Sequence, residues 1–228
     1  MYFDTYYLIL VAPTILLSLW AQFKVKSTFS KYSRIKASRN ITGRSAAELL
    51  MRLNTIGNVA IEPVAGSLTD HYDPGARVLR LSQPVYDRNS IAAIGVAAHE
   101  TGHAIQHARS YGPLVLRSAL VPAANIGSSV GPWLAVAGIG LSFPILINLG
   151  IILFGGAVVF YVITLPVEFN ASARALTILR NNQILTQDEL RGVKKVLTAA
   201  ALTYVASALT ALMSFVRLIL LSQRRRRQ

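Results

Sequence analysis

The chain contains no cysteine. Disulfides and thiolate zinc sites are therefore excluded. Charge is scarce too. Only 14% of the 228 residues are Asp, Glu, Lys or Arg, where a soluble domain carries about 25%. Acidic residues are the rarer sign, ten against 23 Lys and Arg, which leaves a net charge of +13. Histidine occurs four times. What is plentiful is apolar: 53% of the residues are hydrophobic, and the mean hydropathy is +0.45. Few charges and many apolar residues point to lipid exposure. Nucleic-acid binding would also explain the basic excess. Here, however, the basic residues flank apolar runs, and no stacking aromatics interleave with them. The sequence thus reads as a partner of the lipid bilayer and not of nucleic acid.

A bilayer span needs about 20 apolar residues. Residues 6–23 form nearly one, without a charge. No basic residue precedes this run and no small-residue cleavage site follows it, so it reads as a retained anchor. Residues 145–165 form a second clear span. Residues 196–216 form a third, rich in Ala, Ser and Thr, a composition suited to close helix packing in lipid. Residues 118–141 are the weakest candidate. They hold Pro122, Asn125, Gly127, Gly131 and Pro132, and fit either a kinked span or a re-entrant segment. Lys24, Lys26, Lys31, Arg34, Lys36 and Arg39 follow the first span, whereas Asp4 alone precedes it. The positive-inside rule then places residue 24 onward in the cytoplasm. Arg109, Arg117, Arg174, Lys194 and Lys195 fall on that same side. Four spans would leave arginines 224–227 outside, against the rule.

Between the spans, residues 42–56 read as an amphipathic helix, with Thr42 as N-cap and Gly57 as C′ residue. Residues 59–64 and 77–82 read as short strands, and 70–75 as a turn. Ser90 caps a helix reaching about Arg109, closed by Gly112 and Pro113. Pro166 suits a first helical turn, and Asn181 with Asn182 suits the stop. Thr186 and Glu189 form a capping box for a helix that runs on into the last span.

The chemistry is concentrated at residues 99–103, His-Glu-Thr-Gly-His. On a helix, positions i and i+4 share one face about 6 Å apart. Two imidazoles at that spacing can grip one zinc ion. Zinc lowers the pKa of a bound water toward about 7, and Glu100 beside it can take the proton. The chain has four His and five Glu, and two His and one Glu fall here in register.

A catalytic zinc needs a third protein ligand and an open position. His107 extends the i+4 series, but eight residues of unbroken helix at ~1.5 Å each carry it about 12 Å from His99. It reads as a solvated or supporting residue. Glu48 and Glu62 fall in the early helix and strand, Asp188 and Glu189 at a helix start, and Asp4 on the other side of the membrane. Glu168 remains, read in the first turn of a helix opened by Pro166, where a helix N-terminus favours the ionised form. Its neighbours Phe169, Ala171, Ala173 and Ala175 allow close packing on the zinc helix. His71 stands in a turn before a strand. It is either bonded to nearby backbone or a catalytic candidate that stabilises an oxyanion or holds substrate.

These residues carry a resemblance. The stretches Trp-Ala-Gln-Phe-Lys-Val-Lys-Ser at 20–27, Asp-His-Tyr-Asp-Pro at 70–74, Val-Leu-Arg-Leu-Ser at 78–82, residues 93–107, and Leu-Pro-Val-Glu-Phe-Asn-Ala-Ser at 165–172 resemble the YugP-like membrane zinc metallopeptidases, of gluzincin type. The similarity extends over nearly the whole chain. It implies zinc held by His99, His103 and Glu168, Glu100 as general base, and a helix–strand–helix core of zincin type. The Glu-Phe-Asn-Ala-Ser run is similar to Glu-Phe-x-Ala-Asp in the related HtpX-type proteases, with Ser172 where those carry Asp.

The expectation is a mainly α, multi-pass helical membrane protein with a small α+β zincin-like catalytic unit. Its parts are an N-terminal transmembrane anchor (1–23), a cytoplasmic catalytic region with the zinc helix (24–112), a transmembrane hairpin (113–165), a helical segment with the third ligand (166–195), and a C-terminal transmembrane helix with a basic tail (196–228). The expected reaction is peptide-bond hydrolysis with one Zn²⁺ per chain, in the cell membrane, at the cytoplasmic face. The substrate is a peptide or membrane protein, pairing with the edge of the strand at 77–82. No motif sets an oligomeric state. A non-enzymatic zinc-binding membrane scaffold is the alternative, and Glu100 weighs against it, because a structural zinc site fills all four positions. A transporter would want ionisable residues in mid-span, and residues 145–165 and 196–216 have none.

Overall fold

The computed structural model describes residues 4–226; Arg227 of the basic tail lies outside them. A π-helical turn at Tyr7–Val11 leads into α1 (Ala12–Ser33). There follow α2 (Gly43–Leu53), β1 (Ala60–Val64), β2 (His71–Asp73), β3 (Val78–Ser82), α3 (Gln83–Tyr86), α4 (Ile91–Ala108), α5 (Gly112–Leu141), α6 (Pro144–Asn181) and α7 (Gln187–Arg226). The protein is thus mainly α with a small three-stranded sheet. Four helices are long and apolar enough to cross a membrane: Tyr7–Ser33, Gly112–Leu141, Pro144–Asn181 and Gln187–Arg224.

The chain divides into two compact units. One comprises the described residues of Met1–Gln22, Val115–Pro166 and Leu202–Gln228. Here α5 and α6 approach through small residues. A Cβ on Gly127 would lie 2.2 Å from the Leu153 carbonyl oxygen, so only hydrogen permits this backbone contact. Ala135, Phe154, Ala157, Val158, Ala211 and Leu218 form the packed centre. Ser18 and Thr210 meet hydroxyl to hydroxyl at 3.2 Å and tie α1 to α7. Arg217 pairs with Asp4, its Nε 3.0 Å from the carboxylate. Pro122 and Pro132 lie inside α5 without ending it. The weakly apolar segment is therefore one continuous helix.

The second unit comprises Phe23–Leu114 and Val167–Ala201. Its sheet has the order β1-β3-β2. β1 runs parallel to β3, with Ala60 opposite Val78, and β2 antiparallel to it, with His71 opposite Arg80. The central β3 is largely buried on both faces. Leu79, Leu81, Val85, Ile94, Leu179, Ile184 and Val193 fill the core between sheet and helices. Each fully buried aliphatic side chain contributes about 1.5–3 kcal/mol.

Caps mark the helix starts as their sequences imply. Thr42 Oγ1 accepts from the Ser45 N–H, Ser90 Oγ from the Ala93 N–H, and Thr186 and Glu189 bond reciprocally. α6 stops at Asn181, and α7 runs unbroken from its cap.

Four local expectations are corrected. The turn expected at 70–75 includes strand β2. Thr55, with φ 61°, takes the left-handed position after α2 that was assigned to Gly57. The strand at 77–82 is central, both edges paired, and offers no free edge. Pro166 lies inside α6 instead of opening a helix, so Glu168 is in mid-helix and the N-terminal dipole argument for it does not hold. Proline has no N–H to give the carbonyl one turn back, and membrane helices tolerate that loss because neighbouring groups and local adjustments satisfy the freed carbonyl.

Candidate metal centre

α4 is the spine of the site. Ser90 starts it, and its apolar first half is buried, which leaves the 99–103 stretch held from below. His99 and His103 stand one turn apart, ring centroids 4.8 Å and nearly perpendicular. Glu168 comes from α6, and Gly102 brings the two helices together. A Cβ there would lie 2.6 Å from the Ala171 carbonyl oxygen. The bare glycine lets the backbone of α6 sit directly on α4, within reach of both imidazoles.

Glu168 Oε2 lies 3.2 Å from His99 Nε2 and 3.6 Å from His103 Nε2. One potential ligand atom from each residue falls within 4.8 Å of the other two. Glu168 is only 2% exposed and His103 7%. A carboxylate so buried needs positive charge or hydrogen bonds close by. Both histidines use their other nitrogen elsewhere: His99 Nδ1 faces Ser172 Oγ at 3.1 Å, and His103 Nδ1 faces Gln106 Oε1 at 3.0 Å. Burial opposes a charged His103, but the hydrogen bond and charge of Glu168, with the charge of Glu100 and the Gln106 contact, hold its pKa above the ordinary value.

Glu100 is buried beside this cluster and makes no hydrogen bond among the described residues. Asp70, read in the sequence only as part of a turn, is half-buried nearby. Its carboxylate accepts from the Ser82 N–H at 2.7 Å and from Ser82 Oγ. Burial pushes its pKa up, the Ser82 bonds pull it down, and the negative charge of Glu100 adds to the rise.

The structure thus brings His99, His103 and Glu168 together, with Glu100 adjacent in sequence. It does not bring His71 or His107 to that cluster. His71 opens β2, is exposed, and lies with Nδ1 2.9 Å from the Thr69 carbonyl oxygen. His107 Nδ1 is 2.7 Å from Tyr72 Oη. Other carboxylates are engaged elsewhere: Glu48 with Arg44, Glu62 with Arg80, and Glu189 in its capping box. Sequence reading missed Gln106 and Asn170. Their only signal was being polar on otherwise close-packed helix faces.

The donor set fits zinc. Two imidazole nitrogens and one carboxylate oxygen, in a closely packed pocket, are the ligand types of catalytic zinc sites. The outer Nδ1 contacts are the supports such ligands have. Three acceptor atoms converging at this range need a cation among them, a proton or a metal.

A family model described as "Putative neutral zinc metallopeptidase" matches residues 7–223. A protein of Bacillus subtilis (strain 168) described as "Putative membrane protease YugP" is 54% identical over 205 residues, 90% of this chain and 91% of that relative. No solved structure matches the chain.

Proposed function

The chain belongs to the neutral zinc metallopeptidase family, and from that premise we propose that it is a membrane-embedded peptidase with His99, His103 and Glu168 as zinc ligands and Glu100 as general base. The observation that carries this reading is the convergence of the three ligand-type side chains beside a buried carboxylate that has no hydrogen-bond partner among the described residues. A purely structural zinc site has no use for such a carboxylate.

When bound, zinc supplies a Lewis acid for the scissile carbonyl and makes water acidic near neutral pH. The protein's own groups do the rest. Glu100 accepts the proton as the water oxygen attacks the carbonyl carbon. It returns that proton to the amine as the C–N bond breaks, so it ends as it began. Glu168 brings one negative charge to the site. Gln106 and Ser172 hold the imidazoles.

An extended substrate needs a sheet edge. Since β3 is interior, β1 and β2 are the edges, and α4 packs against β2. The β2 edge is therefore the place where a substrate strand would pair. Glu168 follows Leu165, the end of an apolar run, by three residues, which favours membrane-associated or membrane-emerging chains as substrates. The basic cluster from Lys24 to Arg39 favours the cytoplasmic face.

The test is Glu100→Gln. The amide keeps shape but cannot take the proton, so the variant should retain zinc and lose at least about 10²-fold in hydrolysis. Near wild-type cleavage by that variant would remove Glu100 from the mechanism.

A further inference from the structure

Gln106 lies three residues past His103 on α4, and none of it reaches solvent. Its amide nitrogen donates to the Val167 carbonyl at 2.8 Å and to Asn170 Oδ1 at 3.0 Å. Its amide oxygen faces His103 Nδ1 at 3.0 Å. A backbone carbonyl can only accept, so Val167 dictates which end of the amide turns toward α6. The reversed amide would press two oxygens together in a buried place and lose both bonds. With its nitrogen committed to α6, Gln106 has only an oxygen to offer His103, and that oxygen only accepts. In the neutral ring two acceptors compete for one hydrogen: Gln106 Oε1 is 3.0 Å from Nδ1, whereas Glu168 Oε2 is 3.6 Å from Nε2. The closer contact holds the hydrogen on Nδ1 and leaves the Nε2 lone pair facing Glu168.

The arrangement is supported further out. Asn170 Oδ1 also accepts from Arg174 Nε at 2.7 Å, and the Arg174 guanidinium lies over the Tyr111 ring, 5.9 Å from its centroid. His99 has no such instruction, because the Ser172 hydroxyl both donates and accepts. Val167 immediately precedes Glu168. The amide that sets the His103 ring thus also pins the turn that presents the carboxylate.

We propose that Gln106 is a positioning residue that fixes the His103 tautomer and clamps the Glu168 turn to α4, so that two of the three ligands are oriented before metal arrives. The inference rests on the peptidase reading only for the identity of the ion. The tautomer belongs to the metal-free protein.

The chain has four histidines, so the full-length protein in nanodiscs can be labelled with ¹⁵N-histidine and each imidazole followed by NMR. In metal-free wild type at alkaline pH, His103 should carry its hydrogen on Nδ1, and Gln106→Leu should shift it toward Nε2. Zinc affinity, measured by chelator competition, should fall about 10–100-fold in Gln106→Leu and clearly less in Gln106→Glu, which keeps an oxygen toward His103 but lacks the donor to Val167 and Asn170. Both variants should melt lower, since each disturbs the bonds to Val167 and Asn170. A hydrogen on Nε2 in the wild type overturns the proposal. So does wild-type zinc affinity in Gln106→Leu, and so do losses in both variants that merely follow stability. Should Gln106→Leu fail to fold, the wild-type tautomer and Gln106→Glu decide. A wild type that holds the Nδ1 hydrogen yet binds no zinc would count against the peptidase reading and leave the positioning role standing.

Discussion

Gly102→Ala adds one methyl group at the contact on which the site depends. Two effects of opposite sign compete. In a free helix, alanine for glycine stabilises by about 1 kcal/mol. Here the new Cβ would lie 2.6 Å from the Ala171 carbonyl oxygen, and ordinary contact begins at 3.4 Å. The helices must part by the difference, about 0.8 Å. The obstacle is backbone, so no side-chain rotation relieves it. Overpacking of this kind costs about 1–3 kcal/mol, which cancels or outweighs the propensity gain. The larger consequence is at the ligands. Metal–ligand distances tolerate about 0.2 Å, so a displacement several times larger between His99 and His103 on one side and Glu168 on the other should weaken zinc binding at least about tenfold. Chelator competition measures the affinity, and a thermal scan without metal measures the stability. A variant that melts higher than wild type and binds zinc equally well would refute the claim that the α4–α6 backbone contact sets the site.

Acidity offers a second check. The folded pKa of metal-free His103 is raised above its unfolded value of about 6.5. Its charged form thus stabilises the metal-free fold below that value, and the contribution is lost as pH rises through the folded pKa. Zinc needs the neutral ring, so zinc affinity should climb with pH through the same interval. The zinc-induced rise in Tm should be larger at alkaline than at acidic pH; an equal rise at both would contradict the assignment. Topology can be tested in this cysteine-free chain with single cysteines at Ser45 and Ser110. Both should resist an impermeant thiol reagent in intact cells and react once the cells are opened. Labelling of both in intact cells would reverse the orientation.

Much of this architecture was legible because its signals are local. Ser90, Thr42 and the Thr186–Glu189 pair mark helix starts through bonds that close within three residues. The spacing of His99 and His103 needs only a helix to put both on one face. What was not legible depends on partners far along the chain. Nothing in residues 77–82 says that β3 has neighbours on both sides, since β1 and β2 must arrive from elsewhere. β2 is three residues long, shorter than any alternation that could announce it. Pro166 misled because proline marks a helix start in water, whereas a helix in lipid continues through it. Glu168 was selected among the carboxylates for two features, of which the helix start at Pro166 fails and the close packing through small neighbours holds, at Ala171. It meets the histidines through Gly102 and Ala171, a contact 69 positions apart. Gln106 was invisible for the same reason. Its three bonds are meaningful only once α6 lies against α4.

The account stands most directly on the identity of the third ligand. The decisive measurement is the zinc content of purified Glu168→Ala beside that of His107→Ala, with the wild type as reference. Glu168 lies within 4 Å of both imidazoles, whereas His107 is turned to Tyr72. Glu168→Ala should lose most of its zinc, and His107→Ala should keep it. Zinc retained in Glu168→Ala and lost in His107→Ala would contradict the centre described above.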